Sequence, residues 1–318
     1  MIDLHCDTLM FCALHEDYSL RDARCAVSID KLQKGGVMAQ CFAIFVLSGK
    51  EAELEGWKGS PYEYYLCALA AYKRELENNA SVLRPALSAA DLLKNRDEGF
   101  ISSILTVEDA VALEGKIERL EELHRDGVRM MSLCWNFENE LCYPNSRDER
   151  IMARGLKDFG IECVSGMNEL GIAIDVSHLS EGGFWDVVRH SKKPFAASHS
   201  CAAAVRKHPR NLSDGQLRAL SDSGGIVGVN FFPAFLHEKS DGSLEHIVRH
   251  ILHIYRCAGL DVLALGSDFD GFEAPCHICS SDKLPLLRRE LEKHFTQDML
   301  DKICHGNAIR FFRDVIGN

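Results

Sequence analysis

The chain has 318 residues, 46% of them hydrophobic and 26% charged, with 47 acidic against 36 basic side chains for a formal net charge of -11. Such a composition belongs to a globular protein with ample core, and an acidic balance without any basic run excludes nucleic acid or an anionic membrane surface as the main partner. No run of about 20 apolar residues exists, so no transmembrane helix is expected. The 13 cysteines are scattered, several (Cys41, Cys67, Cys134, Cys163) inside apolar runs where free thiols behave as small hydrophobes. With no basic and apolar leader pattern at the start, this predicts a protein of the reducing cytoplasm rather than a disulfide framework.

In chain order, apolar runs rich in Val, Ile, Ala and Phe predict strands over 2–6, 38–46, 101–107, 128–134, 172–177, 194–198, 225–231 and 262–267. Continuous rather than alternating apolar runs suit a parallel sheet covered on both faces. Helical patterns fall near 62–79, 116–126, 150–170, 181–191, 213–223, 243–258 and 284–293, with two closing helices over 296–317. Ser213-Asp214 is a helix start signal. The pattern is weak between 47 and 100, and no repeat, low-complexity stretch or linker marks a boundary. Eight strand candidates with helices between them predict a single (β/α)8 barrel of TIM type over residues 1–318.

The strand candidates end in ionisable side chains. His5 and Asp7 close the first, two residues apart and therefore on one face. Glu108 follows Ile101–Val107, His178 follows Ile172–Ser177, His199 follows Phe195–Ser198, and Asp268 follows Val262–Ser267. Each alone reads more readily as a satisfied buried histidine or a helix-opening acid than as a ligand. Together, at the carboxyl ends of barrel strands, they read as a metal site, because burying several ionisable groups unpartnered costs several kcal/mol each. Five ligand-type residues exceed the needs of one tetrahedral zinc. A carboxylate can bridge two ions about 3.5–4 Å apart, and Glu108, lying between the two pairs in chain order, is the natural bridge.

These stretches resemble the membrane dipeptidase (renal dipeptidase) family of zinc peptidases. The resemblance is carried by Asp3-Leu4-His5-Cys6-Asp7, Val107-Glu108, Gly127-Val128-Arg129, Ile174–His178, Ser198-His199-Ser200, Arg210-Asn211, Gly224-Gly225-Ile226-Val227, Gly266–Gly271 and Gly306-Asn307, in family order over essentially the whole chain. It implies that His5 and Asp7 hold one Zn2+, His178 and His199 a second, and that Glu108 bridges the two. It implies that a metal-bridging hydroxide attacks the peptide carbonyl and that Asp268 shuttles its proton. Arg210 would clasp the substrate's terminal carboxylate, a role suited to a guanidinium fork; on its own, Lys207-His208-Pro209-Arg210-Asn211 reads as surface. The implied substrates are dipeptides with a free C-terminus, including L-D dipeptides, and homodimerisation is a family-level expectation.

One position departs from the family, whose members carry a histidine after the fourth strand where this chain has Trp135. An indole offers a single N–H donor and cannot carry an imidazolium's charge. Trp135 is then a substrate contact, a pocket wall or simply core, with Asn136 a substitute donor. The departure keeps open a related amidohydrolase acting on N-acyl amino acids or lactams, and a non-catalytic metal-binding homologue. Cys276-His277-Ile278-Cys279 has the spacing of half a zinc site, but a single pair is a poor signal. His246, His250 and His253 share a helix face and read as solvated or packed rather than ligating.

Overall fold

The computed structural model describes residues 1–239 and 241–317. Nine strands follow in chain order: β1 (Ile2–Asp3), β2 (Ala39–Phe45), β3 (Leu83–Pro85), β4 (Ile101–Glu108), β5 (Val128–Ser132), β6 (Ala173–Asp175), β7 (Ala196–Ser200), β8 (Ile226–Val229) and β9 (Leu263–Leu265). Eight of them close a parallel ring in the order β1-β2-β4-β5-β6-β7-β8-β9, with β1 bonded to both β2 and β9. β3 stands outside the ring and pairs only with the first residues of β4. Helices connect the strands, so this is a (β/α)8 barrel of TIM type, as the strand–helix alternation predicts.

The register brings every strand's carboxyl end to the same rim. Asp3 of β1 pairs with Gln40 and Leu265, and Phe45 of β2 with Glu108 of β4. At the opposite end, residues that open or lie early in the strands, among them Ile2, Ala39, Ala173, Ala196 and Ile226, pack with Phe311 and Phe312 of the helix Asn307–Ile316. That helix seals the amino-terminal end and leaves the other rim as the accessible one. Between β7, β8 and β9 the strands come so close that a Cβ on Gly228 or Gly266 would run into the carbonyl oxygen of Ser198.

Where the sequence pattern was weak, the chain forms short pieces. Helices Thr8–Leu14, Ile29–Lys34, Gly49–Leu54 and Ala89–Asp97 and the strand β3 have no counterpart among the predicted elements. The region predicted as one helix over 150–170 is two, Glu149–Met152 and Asp158–Leu170, with Gly155 packed against Asp186 in the break. All thirteen cysteines are unpaired. Among the described residues no helix is long and apolar enough to cross a membrane.

Candidate metal centre at the carboxyl rim of the barrel

β1 delivers His5 and Asp7 just past its end, β4 ends on Glu108, His178 and His199 come from β6 and β7, and Asp268 follows β9. Their functional atoms converge. His5 Nε2 lies 3.3 Å from Asp7 Oδ2, 3.4 Å from Glu108 Oε2 and 3.8 Å from Asp268 Oδ1. The other oxygen of the same carboxylate, Glu108 Oε1, lies 2.9 Å from His178 Nε2 and 3.4 Å from His199 Nε2. The two histidine nitrogens are 3.0 Å apart. Glu108 thus divides its two oxygens between the two groups the sequence pairs. His178, Asp268 and nearby Asp270 all hold positive φ, at 70°, 65° and 66°. Non-glycine residues adopt such backbone only where the surroundings impose it, commonly at functional sites.

Neighbouring polar groups aim these side chains, Asn136 among them in a part the sequence did not suggest. His199 Nδ1 lies 2.7 Å from Ser198 Oγ, which donates to Asp175 Oδ2 at 2.5 Å, so the ring's N–H is held there and Nε2 is left as an acceptor. Asn136 Oδ1 takes the same part for His178 Nδ1 at 3.0 Å. Asn230, directly after β8, donates through Nδ2 to Asp268 Oδ2 at 2.9 Å. Thr8 and the backbone N–H groups of Ala26 and Val27 saturate Asp270 and fix the loop after β9. A polar residue directly after an apolar strand was the available signal for Asn230. Asp175 and Ser198 had none, because their partners lie across a strand interface.

Burial and mutual contact shift every ionisable group of the cluster. Burial opposes every charge here. At His5 the carboxylates of Asp7 and Glu108 outweigh it and hold the imidazole well above its ordinary pKa. Burial pushes the Asp7 carboxyl up to about 8, with Glu108 and Asp268 adding to it against His5. Glu108, against burial, is held well below the usual range by His5, His178 and His199. Burial and the Arg210 charge bring His178 down to about 4, and burial with His5 brings His199 well below its ordinary value. His178 and His199 are thus held neutral, the form in which an imidazole binds a metal, whereas His5 and Asp7 must give up their protons to a cation that takes their place. His5 Nε2 and Asp7 Oδ1 are buried without a hydrogen-bond partner, an arrangement that costs about 1–3 kcal/mol per group unless something binds them. A Cβ at Gly271 would strike Asp7 Oδ2 and stand 2.7 Å from Asp268 Oδ1, so only glycine leaves this cradle open. The donor set, nitrogen and oxygen without sulfur, fits a divalent cation such as zinc.

A cavity of about 270 Å³ opens over the cluster. Arg210, only 6% exposed, lines it. Its guanidinium donates to neutral oxygens, Ser200 Oγ at 3.3 Å and the His199 carbonyl at 3.2 Å, and its Nε has no partner. A buried cation without a carboxylate partner is a ready anion receptor. Trp135 is half-buried on the wall, edge-on to Phe45 at 4.8 Å and Phe137 at 5.6 Å and tilted over His178 at 6.1 Å. The remaining sequence candidates lie elsewhere. His246 pairs with Asp241 and His253 with Asp214, both at 2.8 Å, acidic partners from outside their own motif. His250 is buried between the Ala202 N–H and the Leu236 carbonyl. Cys276 donates to the Ile278 carbonyl and Cys279 is exposed.

Comparison with known proteins agrees with this geometry. The family model described as membrane dipeptidase (peptidase family M19) matches residues 1–317. An uncharacterized protein of Klebsiella pneumoniae is 37% identical over 268 residues, 81% of this chain and 98% of that protein. A dipeptidase of Claviceps purpurea is 31% identical over 76% of this chain, which spans only 58% of that longer protein. The crystal structure of a metallopeptidase from Rhodobacter sphaeroides, liganded with a phosphinate mimic of the dipeptide L-Ala-D-Ala, superposes with a TM-score of 0.88 at 27% identity over 99% of this chain and 98% of that one. The barrel-rim cluster of imidazoles and carboxylates therefore sits in a chain that belongs to the membrane dipeptidase family of metallopeptidases, hydrolases of the peptide bond.

Proposed function

We propose that the rim cluster is a binuclear zinc site that hydrolyses dipeptides with a free C-terminus, L-D dipeptides included. The observation that carries this reading is the split of Glu108, with Oε2 toward His5 and Oε1 toward His178 and His199. His5 and Asp7 would hold one ion, His178 and His199 the other, and Glu108 both. Two such cations supply a polarised carbonyl and a water whose pKa falls toward about 7.

The chain's own groups do the rest. Arg210 receives the substrate carboxylate on the β7 side of the cavity, and its buried position excludes longer chains from that end. Asp268, tethered through Oδ2 by Asn230, keeps Oδ1 turned toward the cluster. That oxygen takes the proton of the attacking water and returns it to the leaving amine. Asn136 and the Ser198–Asp175 pair hold the imidazoles to one tautomer throughout. Trp135 walls the pocket beside the reacting centre. The inclusion of L-D dipeptides is supported by the dipeptide mimic in the Rhodobacter sphaeroides relative.

The test is amine release from L-L and L-D dipeptides at neutral pH by zinc-loaded protein, with a chelated control and with N-acyl amino acids in parallel. Cleavage of dipeptides that the chelator abolishes is expected. Cleavage of acyl amino acids alone, with two metals measured per chain, would replace the dipeptide reading by that of another amidohydrolase.

A further inference from the structure

Two carboxylates line the same cavity and have no part in the chemistry above. Glu51 and Glu55 lie one helical turn apart, in and just after the helix Gly49–Leu54 that follows β2. Like charges at this spacing repel on a helix. Among the described residues neither has a cationic partner within ion-pair distance or a donor on its carboxylate. They share the cavity with Arg210, 6% exposed and with its Nε unpartnered. β2 and β7 are four strands apart in either direction around the eight-stranded ring. Glu51 and Glu55 therefore stand across the barrel mouth from Arg210. Phe45 at the end of β2, Leu47 and Met10 line the same cavity as Glu51 and Glu55. An apolar lining together with two unpaired carboxylates fits a long side chain with an aliphatic stem and a cationic head.

We propose that Glu51 and Glu55 select dipeptides whose N-terminal residue carries a cationic side chain, lysine or arginine. This rests on the dipeptidase reading of the site. With the C-terminal carboxylate on Arg210, the N-terminal residue points across the mouth, its stem lies on Phe45 and Leu47, and its head reaches the two carboxylates. Glu51 is half-buried and Glu55 exposed, so each contact has the strength of a surface ion pair.

The experiment compares kcat/KM for Lys-Ala, norleucine-Ala and Glu-Ala on the zinc-loaded protein. Norleucine keeps the stem and removes the charge. At low ionic strength lysine is expected to exceed norleucine by about five- to tenfold, the strength of one or two half-exposed ion pairs, and the ratio should shrink with added salt. In the E51Q/E55Q double variant the ratio should fall toward one, and E51K/E55K should favour Glu-Ala. Three results would overturn the proposal. Equal kcat/KM for lysine and norleucine in the unaltered protein would leave the dipeptidase reading standing. A loss in E51Q/E55Q shared by all three substrates would move the contact to the substrate's α-ammonium. No cleavage of any dipeptide would remove the proposal together with the reading it rests on.

Discussion

At the residue scale, the site consists of side chains that each do little alone. Asp268 is the clearest test, since its oxygens have separate partners, Asn230 on one and the cluster on the other. Asp268→Asn should keep its metal content and lose turnover by about 10²–10⁴, the usual worth of a positioned general acid–base; unchanged turnover at full metal loading would remove it from the proton path. Arg210→Lys replaces a fork by a point charge. It should raise KM for dipeptides at least about tenfold, with a smaller change in kcat, since one charge-assisted bond is worth about 1.5–3 kcal/mol. Equal KM in the two proteins would place the terminal carboxylate elsewhere. His5, Asp7, Glu108, His178, His199 and Asp268 were all legible in the sequence because each directly follows an apolar strand. Arg210 was legible only through resemblance: its own stretch reads as surface, and the barrel buries it. Asn230, Asp175 and Ser198 were not picked out, because their roles exist only as contacts between residues 38 and 23 positions apart.

Elements translate those residues into geometry. Each strand of the ring was legible from its continuous apolar run, and parallel pairing then brought all carboxyl ends to one rim. Short helices between 8 and 54 were not, since an element of six or seven residues offers too few turns for a period to show. One of them, Gly49–Leu54, carries Glu51 and ends at Glu55, the two carboxylates of the mouth. The loop after β9 depends on a missing side chain. Gly271→Ala would push a methyl group into Asp7 and Asp268. Metal bound per chain should fall by about one equivalent, with the cooperative unfolding of the metal-free protein little changed, because the clash lies in a surface loop. Full metal occupancy, measured by elemental analysis, would show that the loop can yield.

For the whole molecule, metal and fold are linked. Ligands that bind only the native state stabilise it by RT ln(1 + [L]/Kd), about 4 kcal/mol at a thousandfold excess over Kd. Chelation should therefore lower Tm by several degrees and restoring zinc should reverse it; an unchanged Tm would mean no tight site. A pH effect belongs to this scale too. Burial brings His250 down to about 4 from 6.5, its backbone bond to Leu236 opposing. The native state thus refuses a proton that the unfolded chain accepts below about 6.5, so stability is full above that pH and falls as pH drops toward 4, on the order of 3 kcal/mol in all. In chelated protein, His250→Gln should flatten the difference in unfolding free energy between pH 7 and pH 4.5, read from urea melts. An unaltered slope would assign it to other groups.

The sequence by itself determined the barrel, its strand count in the ring and the identity of the converging ionisable residues, because period and strand ends are local properties of the chain. Tertiary structure alone decided what those residues face. It split one carboxylate between two groups, buried Arg210 against the His199 carbonyl, turned Asn136 onto His178, and brought Glu51 and Glu55 into the same cavity as Arg210. Those relations follow from ring closure, which brings side chains from opposite strands over one cavity at separations no local pattern records.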